Sequence, residues 1–176
     1  MKCSSCKNGN LERGYFEGLF ACHTCSNCGG DLILLGDFLR WQELNPKAEL
    51  SVDAKVDLVA EDTSRAMLCP LSGTLMTKYR IAADTEHRLD LSPSINAVWL
   101  DKGEWDLLKE KGLANKLAEI FTDHWQRGVR EEETSDVLED LYERRFGENY
   151  EQVKAFKSVL QAMPNRQEVV AYLLSD

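Results

Sequence analysis

Two Cys-x2-Cys pairs, Cys3/Cys6 and Cys25/Cys28, lie close to the N-terminus with the segment Lys7–Thr24 between them. That spacing falls in the window that brings two thiolate pairs onto one tetrahedral ion. Each pair suits a tight turn whose backbone amides point at sulfur, and Gly9, Gly29 and Gly30 are expected to supply positive φ angles there. The intervening LERGYFEGLFACHT predicts a hairpin, Leu11–Tyr15 and Leu19–Thr24, reversing near Glu17-Gly18. A chain shorter than about 40 residues rarely buries enough surface to fold alone, whereas structural zinc contributes ~10–16 kcal/mol of apparent binding to folding. Four thiolates also leave no coordination position for water or substrate, so the expected site, one Zn2+ per chain on Cys3, Cys6, Cys25 and Cys28, is structural.

Two other uses of the same sulfurs stay open at this level. Four-thiolate iron, as in rubredoxin, needs the same geometry. A redox dithiol normally opens a helix after a strand, and no strand precedes Cys3. Cys22 stands just ahead of Cys25 and could compete as a ligand, but Cys25-Ser26-Asn27-Cys28-Gly29-Gly30 makes the better turn.

Laying the chain from Cys69 onward over its own N-terminus, with a single-step slip inside the hairpin, sets Cys69 on Cys3, Ser72 on Cys6, Ser92 on Cys25 and Ile95 on Cys28. The segment again predicts strand, turn and strand, Thr74–Ile81 and Glu86–Leu91, while Gly103-Glu104-Trp105 falls on Gly36-Asp37-Phe38. One thiol and two hydroxyls cannot hold zinc. Apolar contact from Leu75, Met76, Tyr79, Ile81, Leu89, Leu91, Ile95, Val98, Trp99 and Leu100 must stabilise this copy instead.

KCSSCKNGNL…HTCSNCGGDLI and CPLSGTLM…RLDLSPSINAVWLDKGEWDLL resemble the TFIIB-type zinc-finger (zinc-ribbon) proteins of bacteria, whose pattern runs CPxC, hairpin, D-x-C-x2-C-x-G-x-W-L-D-x-G-E. The likeness covers residues 1–42 and 68–110. Asp90, Trp99, Leu100, Asp101, Gly103 and Glu104 match, while Ser72, Ser92 and Ile95 stand where cysteines are expected. The resemblance implies a double ribbon with one degenerate, metal-free copy, zinc binding, and a link by name to transcription factors.

Downstream the pattern becomes helical. Asp101 and Glu104 predict a capping-box start, with Trp105, Leu107 and Leu108 as the first apolar turn and Gly112 as the stop. Further helices are expected over 113–127, around Val137–Phe146, around Val153–Met163, and after Asn165, their apolar stripes forming core. Glu131-Glu132-Glu133 predicts a solvated turn. His124 has no nucleophile beside it, and no catalytic set emerges.

The expected architecture is α+β: an N-terminal zinc-ribbon β-hairpin with a short helix (1–45), a linker with one short strand at Val52, Ala54, Val56 and Leu58 (46–67), a second, metal-free ribbon-like hairpin (68–110), and a helical C-terminal region (111–176). The 21 basic and 30 acidic residues give a formal charge of −9, concentrated toward the C-terminus, which opposes phosphate binding. No apolar run suits a membrane helix and the first residues lack a signal-peptide core, so the cytoplasm is the expected compartment. The expected role is non-enzymatic: a zinc-binding protein-interaction module, with Arg13, Tyr15, Phe16, Phe20 and Arg40 as exposed partner-binding candidates. A nucleic-acid-binding regulator and a thiol redox protein are the alternatives.

Overall fold

In the computed structural model, which describes residues 1–48, 50 and 65–175, the chain divides into two compact units, Met1–Glu131 and Glu132–Asp176. The expected linker strand lies outside the described residues.

The first unit is built on one antiparallel sheet. Its strands are β1 (Leu11–Phe16), β2 (Phe20–Cys25), β3 (Asp31–Leu34), β4 (Thr77–Arg80), β5 (Arg88–Ser92) and β6 (Ala97–Leu100), in the order β1-β2-β3-β6-β5-β4. β1 and β2 turn through Glu17 and Gly18, both at positive φ, as the Glu17-Gly18 reversal requires. β3 and β6 were not foreseen as strands, yet they join the two hairpins through four register pairs, Asp31↔Leu100 to Leu34↔Ala97. The two predicted ribbons therefore share one sheet.

Alternation along each strand separates two apolar layers. On one face Phe16, Phe20, Ile33, Leu89, Val98 and Leu100 pack with α1 (Leu35–Leu44), α2 (Glu104–Glu110) and α3 (Leu117–Ile120). On the other, Leu11, Leu32, Met76, Ala97 and Trp99 pack around the cysteine turns. Leu75 and Ile95, expected to stabilise the second hairpin, are exposed. Leu75 forms an isolated bridge with Leu68 and Ile95 sits in the turn between β5 and β6, both outside the six-stranded ladder.

The W-L-D-x-G-E segment works as a strand-to-helix connector. Trp99 Nε1 donates to Asp101 Oδ1 at 2.7 Å, the Asp101 amide donates to Glu104 Oε2 at 2.8 Å, and Gly103 (φ 86°) is the N-cap of α2. The Glu104 carboxylate accepts as a capping box requires, but the N-cap is Gly103, two residues beyond the Asp101 at which the helix was expected to start.

α4 runs unbroken from Asp123 to Phe146, so Glu131–Glu133 is helical where a turn was expected. No glycine or proline interrupts 129–146, and favourable propensity carries the helix through the acidic run. The expected helix over 113–127 is divided, with α3 ending at Ile120 before α4 begins. The second unit holds the remainder of α4 with α5 (Tyr150–Ala162) and α6 (Arg166–Leu173). Its stripes were expected to be core. Instead Val137, Leu138, Tyr142, Phe146, Val153, Phe156 and Val159 are exposed, since three short helices enclose too little volume to bury both faces of a pair.

Candidate metal centre

Each cysteine pair sits in a turn with fixed backbone hydrogen bonds. In the first, the Cys3 amide donates to Gly9 O at 3.0 Å and the Lys7 amide to Cys3 O at 3.2 Å, with Lys7 at φ 60°. In the second, the Gly29 amide donates to Cys25 O at 3.0 Å and the Cys25 amide to Gly30 O at 2.8 Å, with Gly29 at φ 70°. Of the three glycines expected at positive φ, only Gly29 adopts it. Gly9 and Gly30 are needed for close approach: a Cβ on Gly9 would clash with Cys25 Sγ, and one on Gly30 with the Trp99 indole.

Cys3 and Cys6 come from the N-terminal turn, Cys25 from the end of β2, and Cys28 from the turn into β3. The four Sγ atoms lie within 4.8 Å of one another, with Cys3–Cys28 at 3.8 Å and Cys6–Cys25 at 3.7 Å. A tetrahedron with Zn–S bonds of about 2.3 Å has S···S edges of about 3.8 Å, so the sulfurs already stand at zinc-coordinating spacing. They are too far apart for pairwise disulfides, which need about 2.05 Å. The Gly9 amide donates to Cys6 Sγ at 3.3 Å and the Asn27 amide to Cys25 Sγ at 3.5 Å, as thiolates require.

The thiols divide by environment. The Gly9 amide, with Asn8 and Asn27 helping, holds Cys6 down at about 6. Burial pushes Cys3 and Cys28 upward. Four sulfurs this close repel as anions, so a cation at their centre is what allows all four to deprotonate.

The remaining cysteines lie apart from this set. Cys22 faces the opposite layer, packed with Phe20 and Ile33, and burial raises its thiol. It behaves as a small apolar side chain. Cys69 is buried beside hydroxyls: Ser72 and Ser92 Oγ are 3.2 Å apart, and Thr74 Oγ1 lies 2.8 Å from Ser72 and 2.9 Å from Ser94. Burial pushes Cys69 up, but the Ser72 hydroxyl and the Ser72 and Leu71 amides outweigh it and lower the thiol. The Gly73 amide donates to Cys69 O at 2.8 Å with Gly73 at φ 70°, and Asn96 is at φ 50°. Among the described residues, only Cys3, Cys6, Cys25 and Cys28 form a group of three or more side chains able to share an ion.

The five partner-binding candidates do not form one surface. Phe16 and Phe20, expected to be exposed, are buried: their rings stack at 5.4 Å, and Phe16 meets Trp105 edge-on at 5.1 Å. The hairpin tip is drawn onto α2 because Trp105 Nε1 donates to Glu17 Oε2 at 2.9 Å and Lys109 Nζ to Glu17 Oε1 at 2.7 Å. Arg13 and Tyr15 alternate with Phe16 and stay exposed, Tyr15 at 75%. Arg40 is exposed on α1, whose Phe38 and Trp41 pack against Phe20 on the face opposite Tyr15.

Sequence reasoning missed a hollow of about 320 Å3 where β1, β3 and α2 meet, lined by Phe16, Glu17, Thr24, Asp31, Asp101 and Asp106 among others. Its carboxylates come from two distant stretches, Glu17 and Asp31 from the first hairpin region and Asp101 and Asp106 from the connector into α2, so only the tertiary structure brings them together. Burial raises Asp31, partly offset by the Thr24 hydroxyl that donates to it.

Residues 2–44 match the TFIIB zinc-ribbon family, described as a transcription factor zinc-finger. Neither the curated proteins nor the solved structures contain a match to the chain. The N-terminal segment is thus similar to transcription factor zinc-fingers, and its Cys3, Cys6, Cys25 and Cys28 are positioned to bind one zinc ion.

Proposed function

We propose that this chain is a non-enzymatic protein-interaction module working in the cytoplasm, its first ribbon shaped by zinc and its second a degenerate, metal-free copy. The observation that carries the binding role is the closed four-sulfur site: it leaves no coordination position for a reactant, so the metal shapes a surface. Arg13 and Tyr15 on the edge strand β1, which pairs with the strand that ends in Cys25, are the contact residues of the ribbon, and Arg40 on α1 contacts a partner separately. For the degenerate copy, the support is backbone detail. Lys7 and Gly73 share positive φ and the amide bond back to a cysteine carbonyl, and Gly29 and Asn96 share positive φ at the opposite turn.

A second reading, a nucleic-acid-binding regulator, draws on the match to transcription factor zinc-fingers. The formal charge of −9 and the carboxylate-lined hollow weigh against it, because phosphate contact needs clustered cations.

Crosslinking through a photoreactive group at position 13 of the zinc-loaded protein is expected to capture a protein that Tyr15→Ala fails to capture at unchanged zinc content. Absence of captured protein, together with DNA binding at low salt that falls steeply as salt rises, would establish the second reading instead.

A further inference from the structure

The second unit presents an apolar surface that its own helices do not close. None of its described residues is buried; Leu141, Leu160, Met163 and Val169 are half-buried where the helices meet. Tyr142, Phe146, Val153 and Phe156 are exposed by 39–46%, and a hollow of about 350 Å3 opens between α4 and α5. The unit contains no cysteine. A helical unit of this size lacking metal and disulfide ordinarily needs association to complete its core.

The charges on the two lips of the hollow specify the occupant. Within this unit α4 carries Glu132, Glu133, Asp136, Glu139, Asp140 and Glu143 against Arg144 and Arg145, a net −4. α5 carries Glu151 against Lys154 and Lys157, a net +1. Glu139 stands on the α4 lip and Lys157 on the α5 lip. Lys154 is held within the hairpin by Glu139 at 3.0 Å, which leaves Lys157 as the cation that the α5 lip presents outward. A foreign cationic helix would suit the first lip and meet like charge on the second. A copy of the same hairpin suits both, provided that α4 of each lies over α5 of the other.

We propose that α4 and α5 form a dimerisation surface for a second copy of this chain, closing a four-helix bundle about a two-fold axis that runs along the hairpin. Antiparallel α4-on-α4 packing, the other isologous choice, sets acid on acid and is disfavoured. Tyr142, Phe146, Val153 and Phe156 fill the interface, and Lys157 of each copy faces the acidic α4 of the other, whose Glu139 stays paired with Lys154 of its own hairpin. The interface is independent of the zinc-ribbon surface assigned above.

Sedimentation equilibrium of the full zinc-loaded chain tests this. The expected mass is twice the 20.0 kDa of one chain, and Phe156→Glu is expected to give a monomer with unchanged zinc content and helical circular dichroism. Lys157→Glu, at an exposed position where folding is not at stake, is expected to weaken the dimer by about tenfold, whereas Lys157→Arg leaves it unchanged. A chain that stays monomeric up to about 100 μM overturns the proposal. So does a dimer indifferent to Phe156→Glu or to Lys157→Glu. Monomeric protein that binds a synthetic Lys/Leu amphipathic helix instead counts for the foreign occupant and against the copy.

Discussion

Leu32 and Trp99 are register partners at the centre of the six-stranded sheet, and Trp99 is also the position that falls on Leu32 when Gly103 is laid on Gly36. The neighbouring pairs obey the same overlay: Asp31↔Leu100 becomes Ile33↔Val98 when both positions are shifted and exchanged. β3 and β6 thus pair antiparallel in a register that is symmetric under this overlay. Phe38 and Trp105, which the same overlay superposes, meet edge-to-face at 6.4 Å.

If the second hairpin carries the backbone of a zinc turn, restoring its ligands should restore the ion. Ser72→Cys, Ser92→Cys and Ile95→Cys combined with the native Cys69 are expected to raise zinc from about one to about two ions per chain by elemental analysis. A triple variant that folds and still holds one ion would show that the turns have diverged beyond ligand identity.

Removing zinc is expected to unfold the first ribbon. Structural zinc supplies ~10–16 kcal/mol of apparent binding, and without it four sulfurs within 4.8 Å of one another repel as thiolates. Chelation should abolish the dispersed amide resonances of residues 2–30 and expose the four thiols to titration, and Cys25→Ser should abolish the same resonances without chelator and expose the remaining three, Cys3, Cys6 and Cys28. Acid acts in the same direction because protons compete for the sulfurs.

Gly9→Ala is expected to lower zinc affinity by displacing the Cys25 sulfur, while Gly30→Ala costs about 1–3 kcal/mol by pressing on the buried Trp99 ring. Gly14→Ala is the control, since nothing lies within 4 Å of a Cβ there. Competitive chelator titration and denaturant unfolding separate the two effects. Equal loss in all three variants would contradict the close-approach argument.

Phe20→Ala is expected to destabilise by about 3–5 kcal/mol, as for any buried aromatic, whereas Tyr15→Ala stays within about 0.5 kcal/mol. Urea midpoints measure both. A small loss for Phe20 would mean that the hairpin tip is free of α2, returning that ring to the partner-binding surface.

Burial raises the Asp31 carboxyl above its ordinary value of 3.8, so the folded state holds that proton more tightly than the unfolded chain. Stability from this group is therefore full below the unfolded value, falls as pH climbs through the interval between the unfolded and folded values, and remains lower at neutral pH. Asp31→Asn keeps the oxygen that accepts from Thr24 and removes the buried charge. It is expected to raise the melting temperature at neutral pH, with the advantage shrinking toward the carboxylate range. A lower melting temperature at neutral pH would show that the ionised form has an attractive partner.

Local chemistry was legible where one stretch of chain decided it. The cysteine spacing named the four ligands, Glu17-Gly18 named the hairpin reversal, and Pro164 marked the end of α5. β3 and β6 escaped notice because each is only a short run, and the partner of each lies in the other half of the sheet, far along the chain. Phe16 and Phe20 were misplaced for a related reason. A ribbon considered alone has no core to receive them, and only α1 and α2, docked by Glu17 and Trp105, create one.

The sequence by itself determined the metal centre, because coordination depends on ligand type and on the loop length that Lys7–Thr24 fixes. It also set the helical character of the C-terminal half, since the helical repeat of apolar positions is a local property. Tertiary structure decided what each apolar face meets: Phe16 and Phe20 went inside, while the stripes of α4 and α5 stayed open. Periodicity states that a face is apolar, but burial depends on whether another element arrives to cover it, and that is settled by pairings such as Leu32 with Trp99, far apart along the chain.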